Sequence, residues 1–102
     1  MQIIWTDFAI ENLKVIFDFY SIKANKKVAH KIRIQILTAT KQLINHPTSG
    51  QNEIHLQKLE KDFRYVVSRN YKIIYKVEDG QIIISDVFDT RQNPDKMVDE
   101  KR

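Results

Sequence analysis

Residues 63–89 read FRYVVSRNYKIIYKVEDGQIIISDVFD, and their pattern decides the fold. Phe63, Tyr65 and Val67 alternate with Arg64 and Ser68. Tyr71, Ile73, Tyr75 and Val77 then alternate with Lys72 and Lys76. A period of two puts one set on each face of a half-buried strand. Arg69-Asn70 and Asp79-Gly80 interrupt it, and Asp-Gly is the strongest short hairpin signal because both residues tolerate positive φ. These features predict three antiparallel strands in a meander, with one apolar face and one face carrying Arg64, Ser68, Lys72 and Lys76. A sheet of this size is not stable alone and needs a cover.

The N-terminal half supplies the cover. Gln2 to Trp5 is a short apolar run, read as an edge strand. Thr6 or Asp7 can then cap a helix by accepting a backbone N–H. Ala9, Leu13, Ile16, Phe17 and Tyr20 recur at helical spacing, opposite Glu11, Lys14 and Asp18. Asn25 can cap a second helix whose stripe is Val28, Ala29, Ile32, Ile36, Ala39 and Leu43, and Pro47 ends it. The short link makes the two helices antiparallel neighbours. Thr48 to Glu53 is read as a loop around Gly50, and Ile54 to Leu59 as an irregular turn or a short strand. Beyond Asp89 the chain turns polar, and Pro94 suits the first position of a short helix. The order β-α-α-β-β-β is an α+β fold, an antiparallel sheet with an N-terminal helical hairpin packed on one face. A single domain over 1–102 is expected, with residues from about 95 onward frayed. The position of the first strand in the sheet is not set by any local pattern.

Composition narrows the class of function. A chain of 102 residues builds one core. It has no cysteine, which removes disulfides and thiolate metal sites. No apolar run reaches the ~20 residues that span a bilayer. The start, MQIIWTDF, lacks the basic region of a signal peptide, so a cytoplasmic protein without membrane contact is expected. The net charge of +4 is unevenly distributed: −2 over residues 1–22, +6 over 23–46, and zero over 47–102. A segment of uniform positive sign suits an acidic partner or nucleic acid, or is simply a solvated helix face.

No phosphate-binding loop, dinucleotide fingerprint or zinc-ligand spacing is present. His30, His46 and His55 are far apart with no carboxylate at ligand spacing. Neither a metal nor a cofactor is expected. Glu60 and Asp62 sit among Lys58, Lys61 and Arg64, which suits surface pairing better than an acid–base dyad. What remains is cationic: Arg64, Lys72, Lys76 and Arg91. Cations on adjacent strands would match a phosphate, which Arg clamps bidentately. Equally, charge on a sheet face blocks aggregation. Tyr65, Tyr71 and Tyr75 fall in the apolar-facing set and are read as core.

The element order, the phrase His46-Pro47-Thr48-Ser49-Gly50-Gln51, the run FRYVVSRNYKIIYKV and the closing Thr90-Arg91-Gln92-Asn93-Pro94 resemble the RelE/ParE toxin superfamily over nearly the whole chain. The resemblance implies the growth-arresting toxin of a bacterial type II toxin–antitoxin module. A cognate antitoxin, acidic and encoded next door, would be its partner, with an acidic segment suiting the second helix. The ParE-like branch, favoured by the long hairpin and the His-Pro-x-x-Gly-Gln phrase, implies inhibition of DNA gyrase. The RelE-like branch implies ribosome-dependent mRNA cleavage. In that case Arg64, Arg69 and Arg91 would be the catalytic, phosphate-handling residues, and Lys72 and Lys76 would contact nucleic acid. No Tyr follows Arg91 to serve as the late proton donor of the RelE-like toxins. A third implied reading is an inactive module that only binds antitoxin.

Overall fold

A computed structural model describes residues 1–59 and 62–97. The elements are β1 (Gln2–Trp5), α1 (Asp7–Lys23), α2 (Lys26–Lys41), β2 (Gln51–Asn52), β3 (Arg64–Ser68), β4 (Tyr71–Glu78) and β5 (Gln81–Asp89). Short 3₁₀ turns occupy Gln42–Ile44, Ile54–Leu59 and Pro94–Met97. Both helices start at side-chain caps. Thr6 Oγ1 accepts from Ala9 N–H at 3.1 Å, and Asn25 Oδ1 accepts from Val28 N–H at 2.9 Å.

The sheet order is β1-β5-β4-β3-β2. The meander is antiparallel, and β1 lies parallel to β5 at one edge. Thr6 N–H donates to Ile84 O at 3.0 Å, so the chain leaves the ladder directly into the α1 cap. Gln51 and Asn52, expected in a loop, pair instead with Tyr65 and Arg64 as the other edge. Two polar residues are too few to show an alternation. The Ile54–Leu59 segment takes the turn reading rather than the strand one.

The helical hairpin covers one sheet face. Ile16, Ile32, Ile36 and Leu43 meet Tyr71, Ile73, Tyr75, Ile82, Ile84 and Val87 in the main core. The opposite face has a smaller core of its own, in which Leu56, Phe63, Ile74, Phe88 and Met97 are buried and Tyr65 packs alongside. Phe63 and Tyr65 are therefore not on the helix-covered face, and Val66 is. The cause is pairing parity. The turn at Arg69-Asn70 sets Ser68 opposite Tyr71, so Val66 opposes Ile73 and Arg64 opposes Tyr75. Partners across a ladder share a face. Arg64 and Ser68 thus lie on the helix side, and Lys72 and Lys76 lie on the other.

A bulge adjusts β5. Tyr75 pairs with Ile84 but Ile74 with Asp86, leaving Ser85 as the extra residue. It keeps Ile82, Ile84 and Val87 in one core despite their uneven spacing. Of the C-terminal stretch expected to fray, residues 98–102 lie outside the described residues. Met97, at the end of the last 3₁₀ turn, is buried in the smaller core.

Candidate functional site

Arg64, Arg69, Lys72, Lys76 and Arg91 each have a partner within the chain. Arg64 Nη1 donates to Thr48 O at 3.1 Å and Gly50 O at 3.0 Å, and its Nε to Asp62 at 3.2 Å. It ties the loop before β2 to β3. Arg69, at φ 57° in the first hairpin turn, donates from Nε to Gln35 Oε1 on α2 at 2.7 Å. A positive φ is uncommon for a non-glycine residue, and this bond helps to hold it. Arg91 grips Asp89 with two donors, Nε at 3.0 Å and Nη2 at 2.8 Å. That grip holds the Asp89 carboxyl down at about 2. Lys76 pairs with Glu78 at 3.0 Å.

Arg69 and Arg91 lie at the same end of the sheet, where Thr90 N–H donates to Asn70 O at 2.8 Å, but their side chains bond to different partners, Gln35 and Asp89. Arg64 is left at the other end of β3, about 16 Å away along the strand at ~3.3 Å per residue. The three arginines do not converge on one phosphate-sized point, and Lys72 and Lys76 lie on the opposite face from Arg64.

Lys72 belongs to a buried ionic junction. Its Nζ lies 2.8 Å from Glu53 Oε2 and 4.3 Å from the Tyr65 ring centre. His55 Nδ1 lies 2.9 Å from Glu53 Oε1. Burial alone would raise the Glu53 carboxyl, but the hydrogen bonds from Lys72 and His55 outweigh it and hold the group below its ordinary 4.5. Glu53 therefore adds stability above pH 4.5 that is lost as pH falls through its lower folded value. Glu53→Gln leaves Lys72 facing an uncharged group and is expected to cost about 2–4 kcal/mol at neutral pH. Urea unfolding at falling pH checks this: the gap between wild type and variant should narrow below pH 4.5.

Elsewhere on the molecule, a groove of ≈ 830 Å³ runs between α1 and the C-terminal half of β5. Phe8, Val15 and Phe19 form its apolar wall, and Arg91 and Lys96 line it from the segment after β5. Val15 is 65% exposed and Phe19 47%, and Ile22, at 82%, continues their stripe at helical spacing. On the floor, Asn12 Nδ2 donates to the buried Asp86 Oδ1 at 2.7 Å. Tyr71 Oη lies 3.4 Å from Tyr20 Oη, and burial pushes the Tyr71 phenol well up. That phenol stays neutral and is a poor base. Exposed apolar residues at i, i+4 and i+7 beside a groove of this size suit a second helix.

The family described as "ParE toxin of type II toxin-antitoxin system, parDE" matches residues 3–94. The chain belongs to the ParE toxin family. It is a ParE-like toxin of a type II toxin–antitoxin system, and a cognate antitoxin is its partner. A solved chain titled "Chromosomal ParDE TA system from P. aeruginosa" shares its fold, with TM-score 0.72 and 21% identity over 85% of this chain and 92% of that one. A comparison with curated proteins finds no match. Among the described residues of this ParE-like toxin no helix is long and apolar enough to cross a membrane, and no cluster of His, Asp or Glu could hold a metal.

The groove of the ParE-like toxin escaped the sequence reading, although a signal existed. Phe8, Ile10, Val15, Phe19 and Ile22 all lie off the stripe assigned to the sheet-facing side of α1. A helix apolar on more than one side has more than one surface to cover.

Proposed function

We propose that the chain arrests growth by inhibiting DNA gyrase, the activity for which its family is known, and that an acidic antitoxin silences it by laying an amphipathic helix in the α1–β5 groove. The exposed Val15–Phe19–Ile22 stripe beside that groove carries the docking part of the reading. The net charge of +4 supports an acidic partner, because opposite net charge speeds encounter. The gyrase reading is favoured over RNA cleavage by the engagement of Arg64, Arg69 and Arg91 with partners in their own chain. Purified toxin added to gyrase, ATP and supercoiled plasmid should accumulate cleaved plasmid while leaving translation on purified ribosomes intact. Codon-specific mRNA cleavage on ribosomes, lost in Arg91→Ala, would overturn it.

A further inference from the structure

The excess positive charge of the chain is left unpaired in the folded structure. Lys14, Arg64, Lys72, Lys76 and Arg91 each lie within 3.6 Å of a carboxylate. Lys23, Lys26, Lys27, Lys31 and Lys41 are all exposed and form no ion pair among the described residues. The chain has no acid between Asp18 and Glu53 that could neutralise them locally. Lys26, Lys27 and Lys31 lie on the first two turns of α2, beside Lys23 at the hairpin tip. Lys27 and Lys31 are one above the other on the same helical face, about 6 Å apart along the axis. This surface is separate from the groove, none of whose lining residues belongs to α2.

We propose that the hairpin tip and the exposed face of α2 dock on the phosphate backbone of duplex DNA. Lysine is depleted in protein interfaces, whose centres are apolar, so this set fits a polyanion better than a folded protein. Single-stranded nucleic acid is gripped by stacking on aromatic platforms. α2 contains no Phe, Tyr or Trp, and its exposed His30 is already engaged, edge-on to Phe17 and bonded to Arg33 at 2.9 Å. Duplex RNA readers need groups for the 2′-hydroxyl. Lysine point charges ask only for phosphate, the contact that positions proteins on B-DNA. The reading depends on neither gyrase nor antitoxin.

Fluorescence anisotropy of the full chain with a short labelled DNA duplex tests it. Binding should weaken linearly in log–log with salt, with a slope of about −3 to −4 for about four phosphates contacted. The triple variant K26Q/K27Q/K31Q should bind about 30-fold more weakly and flatten the slope by about 3. Lys31→Gln alone should flatten it by about 1. Lys14→Gln, which loses only an exposed pair with Asp18, should change neither, and all variants should melt as wild type does. No binding at low salt, an unchanged triple variant, or tighter binding of single-stranded RNA or polyglutamate would overturn the proposal.

Discussion

Phe19→Glu is expected to yield a folded toxin that its antitoxin no longer holds. Phe19 is 47% exposed, and its main intramolecular aromatic contact is the edge of Tyr20 at 5.2 Å between ring centres. Losing it costs the fold little, because a half-exposed ring has little burial to forfeit. For a helix docked in the α1–β5 groove the same change is severe. An aromatic anchor in the middle of an apolar wall becomes a charge that must be desolvated without a partner. Central aromatic anchors account for about 2–4 kcal/mol, so antitoxin affinity should fall roughly 30- to 1,000-fold. Calorimetric titration of antitoxin into wild type and variant measures it, and thermal melts report the fold separately. Unchanged affinity would move the antitoxin away from this groove.

Gly50→Ala is expected to be the most damaging single-methyl change in the chain. A Cβ at residue 50 would lie 2.6 Å from Tyr75 Oη, 2.7 Å from Tyr75 Cε1 and 2.8 Å from the Tyr65 carbonyl oxygen. Tyr75 cannot yield, because it is fully buried in the main core. The Tyr65 oxygen cannot yield either, because it is backbone in β3. The closeness has a purpose. Tyr75 Oη accepts from Gly50 N–H at 3.0 Å and donates to Pro47 O at 2.8 Å, joining the end of the helical hairpin to the centre of the sheet. Arg64 grips the same loop through Thr48 O and Gly50 O. Overpacking plus loss of these bonds should cost about 3 kcal/mol. That is a fall in Tm of about 12–24 °C at 4–8 °C per kcal/mol. Tyr75→Phe removes the two hydrogen bonds without adding volume and should cost about 1–2 kcal/mol. A Gly50→Ala protein that melts like wild type would show that the loop can move off the ring.

The phrase around Gly50 shows how far pattern reaches. His46-Pro47-Thr48-Ser49-Gly50-Gln51 belongs to the family resemblance, but its physical role depends on a tyrosine 25 residues further on. The same limit applies to the cations. Lys72 and Glu53 are 19 residues apart, and nothing local shows that they meet beneath a tyrosine ring. Read by position, Lys72 and Lys76 looked like a free basic face. In the fold both are paired, whereas Lys26, Lys27, Lys31 and Lys41 on α2 form no ion pair among the described residues.

The face assignment in β3 was within reach of sequence logic. With the turn placed at Arg69-Asn70, Ser68 must oppose Tyr71, and counting back puts Val66 beside Ile73. Reading the alternation of each strand separately put Phe63 and Tyr65 in the wrong core. The break in β5 was not readable in this way, since a bulge at Ser85 appears in sequence only as a pattern that fails.

By itself, the sequence determined the helices with their caps, the meander with its turns, the segregation of positive charge and the toxin family. Helical and strand periodicity, capping and turn chemistry act over a few residues, so they are written locally. Tertiary structure alone decided the place of β1 beside β5, the second core, the groove left by the outer side of α1, and which cations are neutralised. Those features depend on residues distant in the chain meeting in space, where pairing parity and packing select the partners.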